Sequence, residues 1–337
     1  DVPVIRMYGW YPEREYTTLS EDASDGQNQI VLSEDLDLQQ GDVISIGCGS
    51  ENGNMTDATK GAYTVNSHDY TTKTVTLTAD LQKNRLIEDY VCIGSRPIKI
   101  MRTSGTNALI TAKIDDIIIK GVYINFYFIS NSSSDITNMS ENILADHCTS
   151  AGRVLLYNVK NSIISNSSRI IGGTSDLCYG VNNLLINDIG INGADLTPGN
   201  KNIIMNCVQQ NTMAISTCKE ARNSIFKNSG SINPIHPSTY INCEFSGIGN
   251  PTWGDLNKIL ESIFIDCVFK DSDTGYFGYI LPVLYHCIFE GNDINLDLKE
   301  SWNNNSKIES FDHNQIPGNY KAWTKGDRKS TRLNSSH

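Results

Sequence analysis

Asp176, Asp195, Lys219, Glu220 and Arg222 put three carboxyl groups and two cations into one stretch of the chain. Carboxyls of this kind can serve as general acid and base, and two of them about 5 to 9.5 Å apart can flank a scissile bond. A cation beside them can act as a base if its pKa is depressed, or steady a developing negative charge. No fixed motif narrows the chemistry, since GxSxG, HExxH, a P-loop and CxxC are all absent. The nine cysteines are odd in number. Cys148, Cys207, Cys243, Cys267 and Cys287 recur in one sequence context, which reads as reduced core residues and not as disulfides or metal ligands. What these acids and bases can do depends on the elements that bring them together.

The 337 residues allow two average domains, or one elongated repeat domain with an appendage. Only 19% of them are charged, and the polar share comes from Asn instead: 35 Asn stand beside 40 Ile. Asn and β-branched residues are poor helix formers, which excludes a helical bundle. The net charge of −11 excludes nucleic acid as the main partner, because phosphate binding needs clustered Lys and Arg. No window approaches 18 uninterrupted apolar residues, so no membrane span is expected.

One phrase repeats through the middle: apolar residues, then Asn, Asp or His, then Cys, Ser or a small apolar residue. Examples are Ile203-Ile204-Met205-Asn206-Cys207 and Ile263-Phe264-Ile265-Asp266-Cys267. The polar positions His147, Asn166, Asp188, Asn206, Asn228, Asn242, Asp266 and His286 lie on average about 20 residues apart, with Phe245, Phe269 and Phe289 two beyond the Cys. About 20 residues make a coil of short strands that buries its alternate side chains only when stacked on another coil, at about 4.8 Å per step. Asn at one turn of every coil can pass amide hydrogen bonds up the stack and accept the left-handed backbone of the turn. These positions are therefore expected to line one edge, with Asn206 at least half buried. The 14-residue step from Asn228 to Asn242 is short for a coil.

The pattern resembles the right-handed parallel β-helix of the pectin-lyase-like superfamily, which includes pectate lyases, polygalacturonases and phage tailspikes; the resemblance covers roughly residues 97 to 290. It implies an all-β chain with a right-handed parallel β-helix over 97–295. It also implies a glycan site on the face before each ladder strand. On that face it places Asp176, Asp195, Lys219, Glu220 and Arg222 as catalytic candidates. Arg153, Arg169, His236, Trp253, Asp255 and Tyr276 are its substrate-binding candidates. Acids from neighbouring coils would then lie one or two rungs apart, within reach of the carboxylate spacing above. The polygalacturonase motifs NTD, DD, GHG and RIK do not occur together here.

Residues 1–96 read as a small antiparallel β module, with strands at Ile30–Leu32, Asp42–Ile46, Ala62–Val65 and Thr74–Leu77 and a hairpin turn at Asp69–Lys73, capping the N-terminal end of the helix. The acidic stretch Glu21 to Asp37 reads as a solvated surface ahead of a calcium site; no cofactor is expected, calcium being the one ion allowed for. Residues 296–326 read as the start of a further C-terminal region. Asp327 to His337 matches the in-frame translation of a common sequencing adapter and is expected to be an artefact, with the coding sequence cut near Gly326. The chain starts at Asp1, which points to processing or truncation.

Three readings follow: a glycan-recognising protein of phage-tail or cell-surface type, depolymerising or not; a polysaccharide lyase or glycoside hydrolase; and a structural solenoid without a site. The expected partner is a polysaccharide, the expected assembly a homotrimer, and the expected location a virion tail or cell surface after assembly in a reducing cytosol.

Overall fold

The computed structural model describes residues 12–48, 62–96, 98–100, 113–124, 128–130, 135–151, 155–171, 178–191, 202–211, 214–215, 218–228, 231–232, 238–247, 262–272, 274–278, 283–292, 294–298 and 320–321. The described elements are all β. Six strands form an antiparallel module: β1 (Tyr16–Thr18), β2 (Gln29–Val31), β3 (Val43–Ile46), β4 (Ala62–Asp69), β5 (Thr74–Leu77) and β6 (Tyr90–Ile93), in the spatial order β1-β6-β3-β4-β5-β2. A bridge between Leu19 and Leu32 brings its two edges together, so the sheet curls around its own core of Ile30, Leu36, Ile44, Val65 and Val75. Between β4 and β5 the expected hairpin turn is present, with Lys73 in the left-handed region at φ 56°.

From Ile98 onward the chain winds as a parallel β-helix. A nine-stranded sheet runs from Ile118–Lys120 to Val283–Tyr285, and a ten-stranded sheet from Ile98–Ile100 to Ile288–Glu290, every neighbour pairing parallel and rung on rung. Each three-residue strand of the nine-stranded sheet turns its middle residue inward: Ile164, Leu185, Ile204, Ala221, Tyr240 and Phe264 are buried. In the later coils the filling becomes aromatic. Phe226, Phe245, Phe269 and Phe289 stack one per rung with ring centroids 5.1, 4.9 and 4.7 Å apart, the strand spacing itself.

One turn joins the two sheets in every described coil, and the residue there adopts φ between 48° and 65°: Gly121, His147, Asn166, Asn187, Asn206, Asn223, Asn242, Asp266 and His286. The side-chain amides run up the stack as a chain of donors. Asn187 donates to Asn166 (3.1 Å), Asn206 to Asn187 (3.3 Å), Asn223 to Asn206 (3.2 Å) and Asn242 to Asn223 (2.9 Å).

The ladder departs from the sequence expectation at two places. Asn187 and not Asp188 is the turn residue; Asp188 points inward, fully buried, in the column that holds Cys148, Ser167, Cys207 and Ser224. Asn223 replaces Asn228, because Glu220–Arg222 pairs with Ile203–Met205 while Ile225–Lys227 belongs to the ten-stranded sheet. The short 14-residue step thereby becomes 19. Asn206 is exposed, not half buried, since the turn lies on the outer edge.

The module, expected as a cap on the N-terminal end, makes its described contacts elsewhere. It lies along the side, over the outer face of the ten-stranded sheet. Ser45 Oγ donates to Ile170 O (2.9 Å), Ser168 Oγ to Ile93 O (3.1 Å), Gln210 Nε2 to Asp89 Oδ1 (2.7 Å) and Lys227 Nζ to Glu88 O (2.9 Å). The seam buries Cys92 against Ile170, Ile189, Ile191 and Val208. At Gly47 the module backbone comes so close that a Cβ would collide with the Gln210 side chain. The face that needs cover is the apolar sheet face, and the module meets it from Ala151 to Lys227.

Candidate functional site

The two turns flanking the ten-stranded sheet differ in what they allow. The ladder turn is one residue, Gly121, in the first coil and two in every later described coil, as in Asn206-Cys207 between Met205 and Val208. Length variation is confined to the return from the ten-stranded to the nine-stranded sheet. In the coils from Thr149 onward that return ranges from nine residues (211–219) to sixteen (247–262). Parts of it form further parallel strands, such as Leu156–Lys160 with Cys178–Val181, where Lys160 Nζ lies 3.3 Å from Glu141 Oε2.

Eight of the eleven candidates fall in these returns: Arg153, Asp176, Asp195, Lys219, His236, Trp253, Asp255 and Tyr276. Arg153, Asp176, Asp195, His236, Trp253 and Asp255 lie outside the described residues, and of Tyr276 only its place in the strand Thr274–Gly278 is described. Lys219 is exposed, its backbone N–H donating to Asn202 O at 2.8 Å.

The other three candidates lie in strands. Glu220 and Arg222 sit on the outward face of the nine-stranded sheet, in contact through Glu220 Oε1 and Arg222 Nε. That hydrogen bond and the carboxylate charge raise the Arg222 pKa, the opposite of what a lyase base requires. Arg169 needs a correction: it is fully buried in Ser168–Ile171 and points into the helix, with Nη1 3.2 Å from Ser150 Oγ. A guanidinium in the interior cannot meet a ligand outside.

Two charged features escaped the sequence reading. At the seam between module and helix, Glu15 is paired with Arg96, and Glu15 Oε1 lies 3.7 Å from His147 Nε2. His147 Nδ1 in turn lies 2.9 Å from Asp146 Oδ1. Burial pushes the Glu15 carboxyl above its usual value, against the pull of Arg96. Burial also works to raise Asp146, but hydrogen bonds from His147, Asn166, Ser165 and Lys120 outweigh it and hold that carboxyl well below the usual range. The second feature is Asp188. Burial lifts its carboxyl well above the usual value; Ser167 N–H donates to Oδ1 at 2.7 Å, and Oδ2 has no hydrogen-bond partner among the described residues. The seam pairs residues too far apart in sequence for spacing to reveal. Asp188 carried a visible signal, an acid where other coils place Cys or Ser.

Among the described residues no group of three or more His, Cys, Asp or Glu is gathered as metal ligands, and no helix is long and apolar enough to cross a membrane.

No protein-family model and no curated protein matches the chain. Solved structures do. The tailspike protein gp49 from Pseudomonas phage LKA1 is 12% identical with a TM-score of 0.26, over 84% of this chain and 53% of that one. The Pseudomonas phage phi297 tailspike gp61 is 13% identical with a TM-score of 0.22, over 82% and 62%. The Gp54 tailspike of Acinetobacter baumannii bacteriophage AP22, solved in complex with A. baumannii capsular saccharide, is 11% identical with a TM-score of 0.22, over 84% and 60%. The chain thus spans about half to three fifths of the length of these tailspikes.

Proposed function

We propose that the chain is a glycan-recognising β-helix protein of phage-tail or cell-surface type, with the returns between the two sheets as its recognition loops. One observation carries the reading: from Thr149 onward the ladder turn keeps one length while the returns vary from nine to sixteen residues, and by sequence position those returns hold eight of the eleven candidates. Variable loops on a rigid scaffold are how folds build binding sites. The residues in them suit a sugar polymer. Trp253 and Tyr276 offer flat apolar faces with polar edges, while Arg153, Lys219 and His236 can pair with uronate carboxylates.

A depolymerase is the second reading. The returns carrying Asp176 and Asp195 follow Ser168–Ile171 and Ile189–Ile191, which are hydrogen-bonded neighbours. Those two strands are one rung apart, about 4.8 Å, and this reading takes the two acids as candidates for the roughly 5 to 9.5 Å carboxylate pair of a glycosidase.

The test is binding of the full chain to a panel of capsular and plant polysaccharides, with reducing-end release followed in the same samples. Recognition predicts binding that weakens in Trp253→Ala and Tyr276→Ala. Failure of the whole panel to bind, or binding indifferent to both changes, overturns it. Reducing ends that appear with the wild type and vanish in Asp176→Ala and Asp195→Ala support the depolymerase.

A further inference from the structure

At one point of its seam the module sets a carboxyl against the ladder edge of the helix. Glu15 belongs to the module: its carbonyl accepts the Ile93 N–H at 3.0 Å, and its carboxyl is paired with Arg96 through Oε2. The residue is only 7% exposed. Its other oxygen, Oε1, makes no hydrogen bond among the described residues and lies 3.7 Å from His147 Nε2.

His147 is the ladder residue of its coil, and its Nδ1 lies 2.9 Å from Asp146 Oδ1. A neutral imidazole carries one N–H. Directed at Asp146 through Nδ1, that hydrogen leaves a bare lone pair on Nε2. The lone pair then meets the bare Oε1 of a carboxylate, two acceptors facing each other in a buried seam. One added proton, on Nε2 or on Oε1, turns one of them into a donor. The 3.7 Å gap then closes to a charge-assisted hydrogen bond with a shift of about 1 Å.

We propose that this gap is a proton-operated latch between module and helix: a proton shared by His147 and Glu15 holds the module down, and its loss as pH rises eases that edge of the seam. The latch works whatever the returns bind. The other charged groups facing the gap act in the same direction. Arg96 pairs with Glu15 inside the module and moves with it. Asp146 is held ionised by hydrogen bonds that include those from Ser165, Asn166 and Lys120, so it favours a cation at His147. Asp188, deeper in the helix, is raised first by burial and in smaller part by the charges of Glu15 and Asp146, so it resists a further negative charge here. Burial raises the Glu15 carboxyl as well.

The sign follows. A raised carboxyl gives its stability in full below its unfolded pKa and loses it as pH rises through the folded one, and an imidazolium that gains partners behaves alike. Asp146 has the opposite sign, but its contribution is lost only below the usual carboxylate range. That lies outside the window of about pH 5 to 8 in which histidine changes charge. Cys92 reports on the latch: it pairs with Tyr16, next to Glu15, and is buried in the seam against Ile170, Ile189 and Ile191.

Modification of the Cys92 thiol in the full chain by a methanethiosulfonate, read by mass spectrometry from about pH 5.5 to about pH 8.5, tests the proposal. Dividing each rate by that of the denatured chain at the same pH removes the ionisation of the thiol itself. The relative rate should rise slowly but at least about tenfold across the range, since one proton changes an opening constant by up to about tenfold per pH unit. Cys267, in the core of a later coil, should not follow. His147→Asn keeps a residue suited to the φ of 53° and removes the proton carrier, while Glu15→Gln keeps an acceptor for Arg96 and cannot ionise. Each change should cut the rise at least about threefold, and the two together should leave a profile flat within about twofold. A flat wild-type profile, including one in which Cys92 never reacts, overturns the proposal. So does a rise that both variants keep. So does a rise in which Cys267 keeps pace with Cys92, which marks unfolding of the whole chain and not of the seam.

Discussion

Asp188→Asn should stabilise the protein, by an amount that depends on pH. Asp188 is fully buried, its Oδ1 accepts the Ser167 N–H at 2.7 Å, and its Oδ2 has no partner among the described residues. Burial is the largest cause of its raised pKa, and the negative charges of Glu15 and Asp146 add to it. In the unfolded chain the same carboxyl ionises near pH 3.9, so folding above that pH must take up a proton. The cost grows by about 1.4 kcal/mol for each pH unit over which the carboxyl is ionised in the unfolded chain and protonated in the fold. A raised carboxyl contributes its stability fully below the unfolded pKa and loses it as pH rises toward the folded one. Asn keeps the Oδ1 acceptor, puts a donor in place of Oδ2 and never ionises. Stabilities of the two proteins from denaturant titration should therefore nearly coincide at about pH 4 and diverge in favour of the variant as pH rises toward 7, by at most about 1.4 kcal/mol per pH unit. Glu15 and Asp146 titrate in both proteins, so to first order their contributions drop out of the difference. A difference that does not vary with pH, or a variant less stable at neutral pH, would refute the reasoning.

Asn206→Ala should cost about 1 to 2 kcal/mol, mainly because Ala resists the φ of 54°, and Asn206→Gly should cost less; the reverse order in denaturant midpoints would show that the exposed ladder bond, not the backbone, sets the effect. Phe245 lies stacked between Phe226 and Phe269, so Phe245→Ala should lower stability by about 3 to 5 kcal/mol, with Phe245→Leu well below that, read in the same titration. All nine cysteines are buried, and burial pushes the Cys92, Cys148 and Cys218 thiols up to about 12. A thiol reagent should modify none of the nine in the native protein and all nine in denaturant; rapid native labelling of any one would contradict its burial.

The strand phrase and the Asn turn were legible because both are short-range. An inward residue flanked by two outward ones, followed by a residue that accepts the left-handed region, fits within five positions. The sequence misled where one coil offers that phrase twice. Arg222-Asn223-Ser224 and Lys227-Asn228-Ser229 are nearly the same words, both Asn have positive φ, and only the pairing of Arg222 with Met205 and Ile241 tells the ladder turn from the turn after the ten-stranded sheet. Arg169 shows the same limit, since an alternating strand has two faces and local order does not say which one meets the core.

The sequence by itself thus determined the all-β class, the coiled repeat, the ladder edge and the reduced cysteine column. Each follows from local backbone preference and alternation. Only the tertiary structure decided that the module lies along the side of the helix, that Glu15, Arg96, His147 and Asp146 meet at its seam, and that Asp188 is buried. It also decided that the module covers the apolar outer face of the ten-stranded sheet. These depend on contacts between residues up to 163 apart, such as Cys48 with Asn211. Burial there is a property of two surfaces at once, and no single stretch of chain encodes it.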